Sequence, residues 1–258
     1  MGLLDGVEVA CFDLFDTLVR IDTSRLPVVR WDGAPVRSTI PILHERLFAA
    51  RGVSLERLVE AVGAMWREVR EELRSGEARG EPRWPEIPAV EKYRRVAARL
   101  ELGEGPEIED LVRRVAELHH GALVGAAQAV EGAAAVLARV RERGLRTALV
   151  SNWDYAPAAP ALLARAGLAQ LLDHVVISEA VGARKPDPRI FRAALGRFGA
   201  RPGAALHVGD LARSDVWGAG RLGFRTVWIN ATGEAWPEAE HPPTLTVARL
   251  SDLLGHLG

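Results

Sequence analysis

An α/β fold built on a parallel sheet and interrupted once by a large helical insertion is the fold class that this 258-residue sequence predicts. Two observations carry the expectation. Five short apolar runs rich in Val, Ile or Thr read as strands buried on both faces, and the last four alternate with single helical patterns that close on Gly. After the first run, the alternation stops for roughly 110 residues in which apolar positions recur at helical spacing.

In chain order, the first strand is expected over Val7–Phe12 (VEVACF). The insertion then opens with VVRWDGAPV, whose Asp32-Gly33 pair between apolar flanks is a hairpin signal that an irregular loop would satisfy equally. Four helices follow, over Ser38–Arg51, Ser54–Ser75, Ala89–Leu100 and Glu107–Val124. In the second of these, Leu55, Leu58, Val59, Val62, Trp66, Val69 and Leu73 form one stripe, with Ser54 as N-cap and Trp66 assigned to the core of the insertion. Four such stripes can bury one another as a separate unit. The remaining strands are Arg146–Val150, His174–Ile177, Ala205–Val208 and Arg225–Ile229. Helices are expected over Glu131–Arg143, Pro157–Ala166, Asp187–Phe198 and Ser214–Leu222, stopped by Gly144, Gly167, Gly199 and Gly223. EAWPEAEHPPT reads as a surface crossing before a C-terminal helix over Leu250–Leu257.

Composition excludes several function classes. With 33 basic and 34 acidic residues and a formal net charge of -1, no global field draws the chain to nucleic acid or to a bilayer. Cys11 is the sole thiol, so neither an intrachain disulfide nor a four-cysteine or paired-cysteine zinc site can form. The N-terminus lacks a basic segment followed by a long apolar stretch, and no window reaches the ~18 apolar residues of a membrane helix. A soluble, cytoplasmic protein is expected, as monomer or homodimer. All basic residues except Lys92 and Lys185 are Arg, which draws attention to those two ammonium groups.

In an open parallel sheet, ligands bind beyond the carboxyl ends of the strands. Asp13 follows VEVACF, Ser151 and Asn152 follow RTALV, Lys185 comes a short loop after HVVIS, and Asp210 follows ALHVG with Asp215 five residues on. Three carboxylates together repel by about 4 kcal/mol per pair at 4 Å and an effective dielectric near 20. An oxygen-only set of this kind calls for a hard cation, and Mg²⁺ shared with a substrate phosphate is the natural choice. A carboxylate beside Mg²⁺ and Lys can act as a nucleophile on phosphorus, while Ser151 and the backbone N–H groups around it donate to the phosphoryl oxygens.

These residues resemble the haloacid dehalogenase superfamily, mostly phosphatases. The resemblance rests on DLFDTL at Asp13–Leu18, SN at Ser151–Asn152, KPDPRIF at Lys185–Phe191 and VGDLARSDVWGA at Val208–Ala219, in the family's order and across nearly the whole chain. It implies a Rossmann-like core over 1–19 and 128–258 with an inserted α-helical cap of the C1 type over 20–127. It further implies Asp13 as nucleophile and Ser151, Asn152 and Lys185 as the phosphoryl-binding set, with Thr17 hydrogen-bonding near the nucleophile. Asp13, the Phe15 carbonyl and Asp210 would ligate Mg²⁺, and Asp215 would hold a metal-bound water or Lys185. The implied substrate is a small phosphorylated metabolite.

One position departs from the pattern. Two residues after the nucleophile, where these phosphatases usually carry a general-acid Asp, stands Phe15. General acid catalysis contributes about 10²–10⁴-fold, so alcohol phosphates should be slow substrates unless another group supplies the proton. An aromatic residue there also resembles the metal-independent 2-haloacid dehalogenases of the superfamily, although their Asn is replaced by Ala212 and their hydroxyl by Asp210. A weakly active or inactive module that binds a phosphorylated ligand or a protein is the third reading.

Other residues have plainer readings. Trp153 is the expected pocket aromatic, whereas Cys11 is expected to be a buried structural thiol and His207 a hydrogen-bonded core histidine. Asp16 should point away from the site as the residue after Phe15. His119 and His120 point about 100° apart on a helix and should not share a metal ion. The Arg-rich runs, interspersed with Glu, read as solvated helix faces.

Overall fold

The computed structural model describes residues 2–78 and 84–258, with side chains described outside 75–78. Contacts divide these into a sheet-containing unit, 2–20, 84–86 and 128–258, and a helical unit, 21–78 and 87–127. Arg20 and 84–86, expected in the insertion, belong to the sheet unit.

The strands in chain order are β1 (Val9–Phe12), β2 (Val19–Ile21), β3 (Val28–Trp31), β4 (Ala34–Arg37), β5 (Ala127–Ala129), β6 (Arg146–Ser151), β7 (His174–Ile177), β8 (Ala205–Gly209), β9 (Arg225–Ile229) and β10 (Leu245–Val247). Six of them form the main sheet in the order β10-β9-β8-β1-β6-β7, all parallel. β1 lies in the middle, with Phe12 paired to Leu149 on one side and to Val208 on the other. The short apolar runs are strands because both faces are covered: every residue of β1 and β8 is buried. On one face, Val9, Cys11, Val150 and Ala205 pack against Ile190, Phe191 and Leu195 of the helix Pro188–Gly196. The sixth strand, β10, escapes sequence reading because LTV is too short to carry a period.

Several helices are shorter or wound differently than the periodicity predicts. Ala133–Glu142 begins after Gly132 at φ 83°, and Pro188–Gly196 begins after Asp187, whose carboxylate accepts the Arg189 N–H. The stretch expected as Ser214–Leu222 is a π-helical turn, Ala212–Trp217, running into Gly218–Gly220. The expected Pro157–Ala166 helix is a 3₁₀ turn, Ala156–Ala158, before Ala159–Arg165, and the C-terminal helix is 3₁₀ over Leu250–His256.

In the helical unit, the four expected helices appear as 40–51 (α, then π and 3₁₀ winding), Leu55–Ala78, Ala89–Arg99 and Pro106–Ala126. Leu43, Phe48, Leu58, Met65, Val96 and Leu111 belong to their shared core. The Asp32-Gly33 signal is a β3–β4 hairpin with both turn residues at positive φ, 49° and 82°, which matches the twist of the strands. Trp66 corrects the sequence reading. It is 38% exposed, and Met65 fills the core in its place. A helix turns 3.6 residues, so the stripe drifts between neighbouring positions, and here the ring lies under the Lys92 ammonium, 5.1 Å from its centroid.

Candidate active site

The sheet brings the site residues together at the carboxyl ends of its central strands. Asp13 follows β1, and its N–H continues the ladder to Val208 of β8 at 2.9 Å. Asp210 follows β8, and Asp215 lies in the π-helical turn that comes next. Gly209 is required for that arrangement, because a Cβ there would stand 2.4 Å from the Asp215 carboxyl carbon. Oxygens of Asp13, Asp210 and Asp215 lie within 4.8 Å of one another.

Lys185 is the cation that bridges two of them, Asp13 and Asp215. Its Nζ donates to Asp13 Oδ1 at 2.5 Å and to Asp215 Oδ1 at 2.6 Å, with the lysine 4% exposed. Asp215 is fully committed: its Oδ1 also lies 3.2 Å from His207 Nε2, and its Oδ2 accepts the Leu211 N–H at 3.0 Å. Burial disfavours the Asp215 anion, yet Lys185 and His207 hold its pKa down to about 2. Burial lowers the His207 pKa against the pull of Asp215, so a neutral ring donates from Nε2. His207 is therefore a core histidine with a task, holding Asp215 under Lys185. Its place in the strand shows from sequence; its partner does not.

The other two carboxylates are left short of positive charge. Burial pushes Asp13 up to about 7, with repulsion from Asp215 and Asp210 adding to it and Lys185 opposing it. Burial followed by Asp215 repulsion pushes Asp210 up to about 6. Among the described residues one ammonium serves three carboxylates, and Asp210 Oδ1 is buried without a hydrogen-bond partner. An additional divalent cation bound by oxygen fits this donor set.

The Asn152 side chain is already engaged within the protein. Its amide clamps the Lys185 backbone, accepting the N–H at 2.6 Å and donating to the carbonyl at 3.0 Å. Ser151 Oγ and Thr17 Oγ1 are both buried without a hydrogen-bond partner among the described residues. Buried hydroxyls ordinarily have a partner, which sets these two apart.

Phe15 is half-buried, its ring edge-on to Trp153 with centroids 5.3 Å apart. Trp153 is itself buried, so the expected pocket aromatic serves as backing for Phe15. Asp16 has φ 57°, and its carboxylate turns outward to Arg20 at 3.5 Å. Burial pushes the Cys11 thiol up to about 12, as suits an inert core residue. His119 Nδ1 lies 2.6 Å from Thr39 Oγ1 and His120 Nδ1 lies 2.8 Å from the Ala116 carbonyl, so each ring is engaged separately.

A family model described as haloacid dehalogenase-like hydrolase matches residues 7–223. The mouse haloacid dehalogenase-like hydrolase domain-containing protein 3 is 44% identical over 102 residues, 40% of each chain. A phosphoserine phosphatase of Thermus thermophilus is 42% identical over 125 residues, 47% of this chain and 48% of its own. The matches thus span less than half the length of these curated relatives. A 2-haloacid dehalogenase from Pseudomonas syringae has the same fold, with a TM-score of 0.67 and 24% identity over 97% of this chain and 98% of its own. None of the described helices is long and apolar enough to cross a membrane.

Proposed function

From the premise that this chain belongs to the haloacid dehalogenase-like hydrolases, we propose that it is a Mg²⁺-dependent phosphatase acting on a small phosphorylated metabolite. One observation carries the reading: Asp13, Lys185, Asp210 and Asp215 converge beside the unpartnered Ser151 and Thr17 hydroxyls. This is a site short of cations and supplied with free donors, as a phosphoryl group and its counterion require.

Asp13 attacks phosphorus in line, the bond to the leaving oxygen breaks, and the carboxylate becomes an aspartyl phosphate that water then hydrolyses. Lys185 holds charge beside Asp13 and the phosphoryl oxygens. Ser151 Oγ–H donates to one of those oxygens, and the Thr17 hydroxyl, unpartnered in the structure, is assigned a hydrogen bond beside the nucleophile. Asn152 keeps Lys185 in place through its backbone, and Asp215 fixes the ammonium from behind. Asp13, the Phe15 carbonyl and Asp210 would hold Mg²⁺, which when bound would neutralise phosphoryl charge. The helical unit is assigned the role of a cap that selects substrate. The enzyme is read as cytoplasmic, a monomer or homodimer, with no part played by nucleic acid or membrane.

Phe15 narrows the substrate class. Its ring occupies the position two residues after the nucleophile and packs on Trp153, and Asp16 faces away, so neither side chain protonates a departing alkoxide. Acyl phosphates and other substrates with stable leaving groups need no such proton. The buried, unpartnered Asp210 oxygen argues against halide displacement in a site free of metal.

The test is hydrolysis of acyl phosphates, phosphoesters and 2-haloacids, each with Mg²⁺ and with excess EDTA. Metal-dependent phosphate release, fastest from acyl phosphates, is expected. Metal-independent halide release would make the protein a dehalogenase instead, and silence throughout would favour a binding module.

A further inference from the structure

The three residues Trp84–Glu86 belong to the sheet unit although 21–78 and 87–127 form the other. They make two sets of contacts, one to each loop that carries a phosphoryl-binding side chain.

The first set reaches the loop after β6. Glu86, whose side chain is 2% exposed, accepts a hydrogen bond from Ser178 Oγ at 2.6 Å. Ser178 Oγ in turn accepts the N–H of Trp153 at 2.9 Å. The Trp153 carbonyl is also within reach of the Ser178 hydroxyl, at 3.1 Å, but a hydroxyl has one proton and the carboxylate is nearer and charged. The order is therefore Trp153 N–H to Ser178 Oγ–H to the Glu86 carboxylate. This fixes the backbone two residues after Ser151.

The second set reaches the loop of Lys185. The Arg184 N–H donates to the Trp84 carbonyl at 2.8 Å, and the Arg184 guanidinium lies 3.8 Å from the same Glu86 oxygen. The Arg221 guanidinium lies 5.5 Å over the Trp84 ring and donates to the Pro186 carbonyl at 2.9 Å. Residues on both sides of Lys185 are thus tied to this segment.

We propose that Trp84–Glu86 is a clamp and Glu86 a positioning residue that sets the distance between the Ser151 and Lys185 loops. It touches no reacting atom; it acts through Ser178 and Arg184. A catalytic group displaced by about 1 Å can lose about 10²-fold in rate, so a buried carboxylate spanning two loops has large leverage. The proposed kinetic role rests on the phosphatase reading; the clamp itself does not.

The experiment pairs amide hydrogen exchange with kinetics and with binding of inorganic phosphate in the presence of Mg²⁺. In Glu86→Ala, the Trp153 and Arg184 amides should exchange at least about tenfold faster, as loss of a charge-assisted hydrogen bond implies, with the sheet amides unchanged. Phosphate affinity should weaken and kcat/KM fall by about 10²-fold, while Glu86→Gln, which keeps an acceptor for Ser178, should recover most of both. Ser178→Ala, the second variant should Glu86→Ala fail to fold, should speed exchange at Trp153 and leave Arg184 protected. Wild-type exchange at both loops in Glu86→Ala, or exchange raised evenly through the unit, would overturn the clamp. Wild-type protein that neither binds nor releases phosphate would overturn the phosphatase reading, and the exchange pattern would still decide the clamp.

Discussion

The chain's two lysines sit in different units, each 4% exposed, and their surroundings could hardly differ more. Lys185 lies between Asp13 and Asp215 at the end of a buried sheet, with unpartnered oxygens in the same site. Lys92 lies on the helix Ala89–Arg99 with its ammonium over the face of Trp66. The helices around it are laced by half-exposed ion pairs, such as Arg95 with Glu72 at 2.9 Å and Arg94 with Glu109 at 2.8 Å. Burial of a cation is thus a poor marker of chemistry. What distinguishes the sheet end is an excess of buried carboxylate over cation, together with donors that have nothing to bind.

This contrast orders the expected effects. Asp13→Asn should abolish turnover and leave the fold intact, since it removes one carboxylate from a cluster that has too many; steady-state assays with a melting curve check both, and residual turnover would remove the mechanism. Lys185→Ala should cost about 3–5 kcal/mol in denaturant unfolding, because it removes the ammonium that two buried carboxylates share. Arg95→Ala, which breaks pairs on the helical surface, should cost under about 1 kcal/mol, and an equal loss at both sites would erase the distinction.

A smaller effect concerns pH. Asp187 is buried at the start of the helix Pro188–Gly196, and although burial alone would raise its pKa, the Arg189 side chain and N–H hold it below the usual value. A depressed carboxyl contributes stability above the unfolded pKa of about 3.9, and that contribution is lost as pH falls through the folded value. Asp187→Ala should cost about 0.5–2 kcal/mol at pH 7, and the difference from wild type should shrink on acidification below about pH 4. A difference that does not change with pH would show that the cap acts through packing rather than charge.

The sheet end was also the more legible region. Strands covered on both faces read as unbroken apolar runs, so β9 matches its expected bounds, as does the partly exposed edge strand β7, and the polar residues that follow such strands mark the site. Legibility ended where a side chain's partner lies far along the chain. Asn152 is spent on the Lys185 backbone, 33 residues away, and nothing in the SN pair distinguishes that use from a contact to ligand. Glu86 reaches Ser178, 92 residues away, from a stretch without periodicity or motif. Trp66 misled for a local reason, since one position of drift on a helix moved the core contact to Met65.

The most direct test of the central claim is mass spectrometry of the protein after acid quenching of a rapid reaction with acetyl phosphate and Mg²⁺. The account expects the peptide carrying Asp13 to gain one phosphoryl group, with no such gain in Asp13→Asn. Phosphate released while that peptide stays unmodified, or a 2-haloacid forming an ester on Asp13 without metal, would contradict it.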